Sequence, residues 1–158
     1  MPATEIELER PHLHPGQRAV ADSPARFRVL SCGRRWGKTR LGTVLCLDVA
    51  ASGGAAWWVA PTYPMATVGW RGIRWLAAQI PGAEIREGER MVRLPSNGWI
   101  QVRSADTPDA LRGEGLDFVV IDECAFVRPA AWSEALRPAL ADHAGRALFI
   151  STPHGRNW

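Results

Sequence analysis

The segment Cys32-Gly33-Arg34-Arg35-Trp36-Gly37-Lys38-Thr39 holds the only lysine of the chain; the other 18 of its 19 basic Lys and Arg residues are arginine. A compact ammonium on a flexible stem reaches the β- and γ-phosphates of a nucleotide, and Gly-Lys-Thr is where a phosphate-binding loop places it. The usual loop reads G-x-x-x-x-G-K-[ST]. Here Cys32 occupies the first glycine position and Gly33 follows one residue later. Backbone N–H groups that cradle phosphate need permissive dihedrals, which Gly33 and Gly37 are expected to supply. The Thr39 hydroxyl is expected on Mg²⁺. The competing interpretation is a surface turn that happens to spell Gly-Lys-Thr. A strand before the loop and an amphipathic helix after it favour the nucleotide site.

The other half of such a site belongs at the carboxyl end of a second strand. Phe118-Val119-Val120-Ile121-Asp122-Glu123 supplies four apolar residues leading to two adjacent carboxylates. Asp122 is expected to hold Mg²⁺ through water, and Glu123 to polarise the water that attacks the γ-phosphate in line. Taken alone, two acids at a strand end are ordinarily a solvated terminus or a helix cap. Their coincidence with Gly37-Lys38-Thr39 favours the catalytic reading.

The elements that position these groups alternate. Phe27–Ser31 reads as a buried strand, Lys38–Ala51 as a helix and Ala55–Ala60 as a strand closed by Pro61. Tyr63–Gln79 reads as a helix ended by Pro81-Gly82. Arg86–Leu94 and Trp99–Arg103 alternate with period two around Ser96-Asn97-Gly98, which predicts a type I′ hairpin. Thr107–Leu111 reads as a short helical turn, Leu116–Ile121 as a strand, Ala130–Ala141 as a helix and Arg146–Ser151 as a last strand. Continuous apolar strands separated by helices predict an α/β fold with a mainly parallel β-sheet covered on both faces. No internal repeat or low-complexity linker divides the chain, so residues 1–158 read as one domain.

With 158 residues and 46% hydrophobic content the chain suits a single soluble core. No apolar run of about 18 residues is present that would span a bilayer, so no membrane partner is expected. Met1–Glu9 is acidic and lacks an apolar core, which argues against a secretory signal and for the cytoplasm. Cys32, Cys46 and Cys124 are odd in number and form no C-x-x-C pair, so neither a disulfide framework nor a zinc site is expected. The net charge of +3 and pI near 9.1 permit a polyanionic partner without requiring one. Basic residues cluster at Arg26 to Arg40 and at Arg71-Gly72-Ile73-Arg74-Trp75. The second cluster reads as a helix with its Trp face in the core and its arginines in solvent, ahead of a nucleic-acid surface.

Four segments in order resemble the large terminase subunits of tailed phages, the ATP-driven motors of DNA packaging. They are His14-Pro15-Gly16-Gln17-Arg18; Gly33-Arg34-Arg35-Trp36-Gly37-Lys38-Thr39; Leu111-Arg112-Gly113 leading into Val120-Ile121-Asp122-Glu123; and Ser151-Thr152-Pro153-His154-Gly155. The shifted glycine of the loop is the form that family uses. The resemblance implies a P-loop NTPase of the ASCE type that uses ATP and Mg²⁺. It implies that Gln17 contacts adenine, since an amide pairs with both donor and acceptor on that base edge. An ordinary surface glutamine beside a Pro-Gly turn is the alternative. It further implies that Arg112 is an arginine finger acting on a neighbouring subunit's γ-phosphate, with Arg34 or Arg35 as candidates in cis. For Arg112 the structural alternative is a salt bridge to Asp109 or Glu114. Ser151 and Thr152 are implied as a coupling motif at a strand end, whose hydroxyls register loss of the γ-phosphate.

The same resemblance implies double-stranded DNA, a homo-oligomeric ring, a portal and a small terminase subunit as partners, in the host bacterial cytoplasm. It covers Leu13 to Trp158 and only the front of the family's architecture, so the sheet is expected to be incomplete at its C-terminus, with an edge uncovered and the nuclease domain absent. Two alternatives share much of this chemistry: a helicase-like DExx ATPase, and a non-catalytic prophage remnant that binds nucleotide or DNA.

Overall fold

The computed structural model describes residues 9–106 and 108–156, except the side chain of Asp109. In chain order, helix α1 (Pro15–Asp22) leads to strand β1 (Phe27–Ser31), helix α2 (Lys38–Ala51), β2 (Ala55–Ala60), α3 (Tyr63–Ala77), β3 (Glu84–Arg86), β4 (Met91–Arg93), β5 (Trp99–Ser104), β6 (Phe118–Asp122), α4 (Arg137–Ala141) and β7 (Arg146–Ser151). The strands form one seven-stranded sheet in the order β1-β7-β6-β2-β5-β4-β3. Pairing is parallel from β1 to β5 and antiparallel between β5, β4 and β3. The α/β class and the mainly parallel sheet expected from the sequence are present.

Apolar runs dictate the centre. Every residue of β2 and β6 is buried, because helices and turns cover both faces of a parallel sheet. Successive side chains alternate, so Trp58 joins the core under α2 and α3 while Trp57 joins the core formed with Leu111, Leu136 and Leu140. Both helices cross directly over the Trp58 indole. A Cβ added at Gly69 would lie 2.2 Å from Trp58 Nε1, and one at Gly42 would lie 2.6 Å from Trp58 Cζ3. The glycines are therefore needed for close approach.

Helix α2 is not the amphipathic helix expected. Leu41 to Cys46 are buried without a break, since α2 packs against the sheet, α1 and α3. Helix α3 begins at the Thr62 cap, whose side chain accepts the Met65 N–H at 3.3 Å. It ends at Ala77, two residues short of Gln79, where turns lead to Gly82 with φ +80°. Its Trp face is split. Trp70 is 6% exposed, but Trp75 is 66% exposed because its position on the helix turns away from Ile73 and Ala77. Arg71 faces solvent, and Arg74 pairs with Glu87.

The antiparallel extension differs from the sequence reading in two ways. Arg86–Leu94 is not one strand: Glu87–Arg90 reverses the chain, with Arg90 at φ +49°, so that β3 and β4 pair with each other. The loop at Pro95-Ser96-Asn97 is not type I′. Asn97 N–H bonds the Leu94 carbonyl at 2.9 Å and only Asn97 takes positive φ, at +69°. The turn closes one residue pair earlier, over Leu94–Asn97, with Pro95 at its second position where φ near −65° suits type I, and Asn97 follows as the one left-handed residue. Near the C-terminus the expected helix over Ala130–Ala141 is a π-helical turn, Ala131–Leu136, running into α4. The turn expected at Thr107–Leu111 is a 3-10 turn over Pro108–Leu111, and Thr107 lies outside the described residues.

Strand β1 is an outer strand of the sheet, with Val29 76% and Phe27 36% exposed on one face. Arg28 and Leu30 face inward, and the Arg28 guanidinium donates to the carbonyls of Val20 at 2.8 Å and Ala21 at 3.4 Å. That bond pair fastens the carboxyl end of α1 to the sheet. Burial pulls the Arg28 guanidinium down to about 10, with Arg146 adding to the effect. No helix among the described residues is long and apolar enough to cross a membrane.

Candidate functional site

The loop after β1 turns at Arg35, which takes φ +64°, and enters α2 through Gly37 at φ +93°. Gly37 meets the conformational demand expected of it. Gly33 does not take positive φ, and an added Cβ there would meet nothing within 4 Å. Arg35 carries the left-handed turn instead. The open space beside Gly33 leaves its backbone approachable by a ligand. No side chain caps α2, so the first-turn N–H groups of a fourteen-residue helix are available to an anion.

Lys38 folds back over the loop, its Nζ donating to the carbonyls of Cys32 at 3.0 Å and Gly33 at 2.8 Å. Arg34 and Arg35 are exposed, and Thr39 is half-buried. The Cys32 thiol is pushed up by burial, with Lys38 pulling the other way.

Adjacent strand ends bring the remaining groups to this loop. In register, Ser31 of β1 lies beside Ser151 of β7, and Ile150 of β7 beside Asp122 of β6. The Cys32 N–H continues the ladder to the Ser151 carbonyl at 3.2 Å. Asp122 is 8% exposed, and burial pushes its carboxyl up to about 6, helped by the neighbouring Glu123 charge. The Glu123 N–H, donating to Asp122 Oδ1 at 2.9 Å, and the Lys38 charge oppose that rise. Glu123 itself sits at φ +46° and opens the turn Cys124–Phe126. The Ser151 hydroxyl is buried with no hydrogen-bond partner among the described residues, and Thr152 is half-buried beyond it.

Gln17 is 2% exposed and does not behave as a surface residue beside a Pro-Gly turn. It is the third residue of α1 and forms a capping box with His14. The sequence reading missed His14, although its place three residues before Gln17 is the spacing of such a box. Arg112 pairs with Glu134 at 3.5 Å. Of the two ion-pair partners considered for it from the sequence, Asp109 has its side chain outside the described residues and Glu114 is exposed. Glu134 lies on the π-helical turn, among the elements that cover the sheet face opposite α2.

A family model for the N-terminal part of the terminase large subunit, T4likevirus-type, matches residues 29–158. The terminase large subunit of Thermus virus P23-45 is 36% identical, with 92% of this chain and 34% of that protein aligned. That of Escherichia phage T5 is 33% identical over 89% of this chain and 33% of that protein. The chain thus spans about a third of the length of the curated relatives it matches. Among solved structures, the large terminase ATPase domain of Thermus phage P74-26 superposes with a TM-score of 0.76 at 34% identity, covering 93% of this chain and 67% of that one. The large terminase of bacteriophage HK97 shares the fold, with a TM-score of 0.72 at 21% identity over 89% of this chain and 33% of its own. The family match favours the packaging motors over the helicase-like alternative.

Proposed function

The chain belongs to the family of the terminase large subunit N-terminal domain, and from that premise we propose that it binds Mg-ATP and hydrolyses it as the motor domain of a phage DNA-packaging enzyme. The observation that carries this is the contiguity of three strand ends: the loop bearing Lys38, the Ser151 end of β7 and the Asp122-Glu123 end of β6.

In this reading residues 1–158 are one partial ATPase domain. The first-turn amides of α2, the Gly33 and Gly37 backbone and Lys38 hold the phosphates, with Arg34 and Arg35 exposed at the loop's rim. Lys38 must leave the Cys32 and Gly33 carbonyls to reach a β- or γ-oxygen. Thr39 and Asp122 would hold Mg²⁺, and the donor set fits: a buried carboxylate whose ionised form lacks compensation is what a cation relieves. Mg²⁺ would neutralise charge that develops on the phosphates.

Glu123 accepts a proton from the attacking water, and Arg112 of a neighbouring subunit stabilises the spread charge on the transferred phosphoryl group. An exposed Arg112 paired with Glu134 is able to exchange that carboxylate for a phosphate across a subunit boundary. Arg34 or Arg35 would take that role in cis. Ser151 and Thr152 stand where loss of the γ-phosphate alters the hydrogen bonding of the β7 end, and the orphaned Ser151 hydroxyl has a bond to gain there. Gln17 would bias the site toward adenine.

Double-stranded DNA is the proposed substrate of translocation, with a homo-oligomeric ring, a portal and a small subunit as partners in the host cytoplasm. The test is Mg-ATP binding and turnover measured across protein concentration, beside Lys38→Ala. Binding weakened in the variant, with specific activity of the unmodified chain rising as it self-associates, is the expected result. Turnover that is fast and independent of concentration would overturn the finger in trans, and absence of Mg-ATP binding would overturn the whole reading.

A further inference from the structure

The phosphate loop is fastened from behind by His14, the N-cap of α1, and by Gln17 in its first turn. His14 Nδ1 accepts the Gln17 N–H at 3.2 Å, and its Nε2 lies 2.9 Å from the Trp36 carbonyl. A ring that accepts at Nδ1 carries its proton at Nε2, so His14 is the neutral tautomer that donates to Trp36. The two rings also meet edge to face, with centroids 4.8 Å apart. Gln17 completes the arrangement: Oε1 accepts the His14 N–H at 2.9 Å, and Nε2 donates to the Gly37 carbonyl at 3.0 Å. A Cβ added at Gly37 would lie 2.4 Å from that Nε2, so the side chain rests directly on loop backbone.

These two carbonyls belong to the peptide units that end in Gly37 N–H and Lys38 N–H. In a trans peptide the N–H points opposite to the C=O. The Gly37 carbonyl also accepts the Leu41 N–H at 3.0 Å, so α2 and Gln17 hold it together, while His14 holds the Trp36 carbonyl. Fixing both carbonyls on this side aims both amides the other way, toward the side of the loop where a phosphate is cradled.

We propose that His14 and Gln17 are positioning residues that help set the direction of the loop amides, so that they contribute to affinity through the triphosphate whichever base it carries, beside any contact of Gln17 with adenine. This rests on the nucleotide-binding reading above and goes beyond the adenine contact that resemblance implies for Gln17. With 2% exposure, the Gln17 amide serves the loop before it meets a ligand.

Two variants separate the clasp from the helix cap. Gln17→Glu keeps an acceptor for the His14 N–H and removes the donor to Gly37. His14→Asn keeps an acceptor for the Gln17 N–H and is too short to reach Trp36. Backbone 15N relaxation over residues 33–38 is followed without nucleotide, and Mg-ATP, Mg-GTP and magnesium tripolyphosphate are titrated against each protein. Expected are order parameters at Gly37 and Lys38 that fall from the rigid range, about 0.85, toward about 0.6, and a common loss of about tenfold in affinity for all three ligands, the worth of one hydrogen bond to a preorganised group. Unchanged loop order parameters in both variants would overturn the proposal. So would a loss confined to Mg-ATP, which would assign Gln17 to the base alone. Should the unmodified chain bind none of the three ligands, the nucleotide reading fails, and the relaxation data still decide for or against the clasp.

Discussion

The Gly33–Thr39 loop and the acidic strand end form two sides of the candidate site and are satisfied to different degrees. In the loop, side chains and carbonyls find partners within the protein, Lys38 Nζ holding two carbonyls and His14 and Gln17 two more, while the first-turn N–H groups of α2 stay open to an anion. Facing it, Asp122 is buried with its carboxyl pushed up to about 6 and the Ser151 hydroxyl has no partner among the described residues; Glu123 holds a left-handed backbone, as Arg35 does in the loop. A non-glycine residue in that region costs about 1–3 kcal/mol. One side is organised before a ligand arrives. The other carries polar deficits that a cation and a phosphate are suited to remove, which is how a site favours its ligand over an empty state.

The contrast breaks most visibly at Glu123. Glu123→Gln is expected to lower turnover by about 10²–10⁴-fold, the range for a positioned general base, while Mg-ATP affinity stays within about twofold. Steady-state kinetics beside equilibrium binding check this, and parallel loss of affinity would mean that Glu123 shapes the pocket instead. Lys38→Ala should weaken Mg-ATP binding by about tenfold to a hundredfold, since charge-assisted hydrogen bonds are worth about 1.5–3 kcal/mol. Its melting temperature should stay close to that of the unmodified chain, because the two carbonyls released at Cys32 and Gly33 lie on an accessible loop.

A smaller effect is expected in stability against pH. The Asp122 carboxyl titrates near 3.8 when unfolded and at about 6 when folded. Between those values the folded chain holds more protons than the unfolded one, so stability falls as pH rises through that window. The loss attributable to Asp122 should approach about 3 kcal/mol well above pH 6. Urea unfolding from pH 4 to 7 beside Asp122→Asn measures it: the difference between the two curves should grow with pH, in favour of the variant, and saturating Mg-ATP should reverse its sign. A difference that shrinks with pH would mean that Asp122 is already compensated in the empty site. The least effect belongs to Ser151→Ala. Removing an unpartnered buried hydroxyl should raise stability by about 1 kcal/mol in the same assay, and a loss of that size would reveal a partner in solution.

Much of the candidate site was legible in the sequence because its signals are local. The lone lysine after a strand, the apolar run ending in Asp122-Glu123 and the strand ending in Ser151-Thr152 each lie within one short segment, and strand–helix alternation was enough for a parallel α/β sheet. Where local cues conflicted, legibility failed. The single strand expected over Arg86–Leu94 passes over Glu87-Gly88-Glu89-Arg90, a polar run that reverses the chain, and Asn97-Gly98 suggests a type I′ turn where only Asn97 takes positive φ. Gln17 was legible through the family resemblance, but its burial was not, since nothing in Pro-Gly-Gln says that Gly37 will pack against it.

Tertiary structure decided what stands next to what. The sheet order places β7 between β1 and β6 and so brings Ser151 to Cys32, residues 119 positions apart in the chain. Likewise Arg112 meets Glu134 and His14 meets Trp36 only because packed elements carry them there. Chain periodicity fixes which face a residue takes within its own element. Register and neighbour are set by burying whole faces against one another, and that is a property of the assembled core.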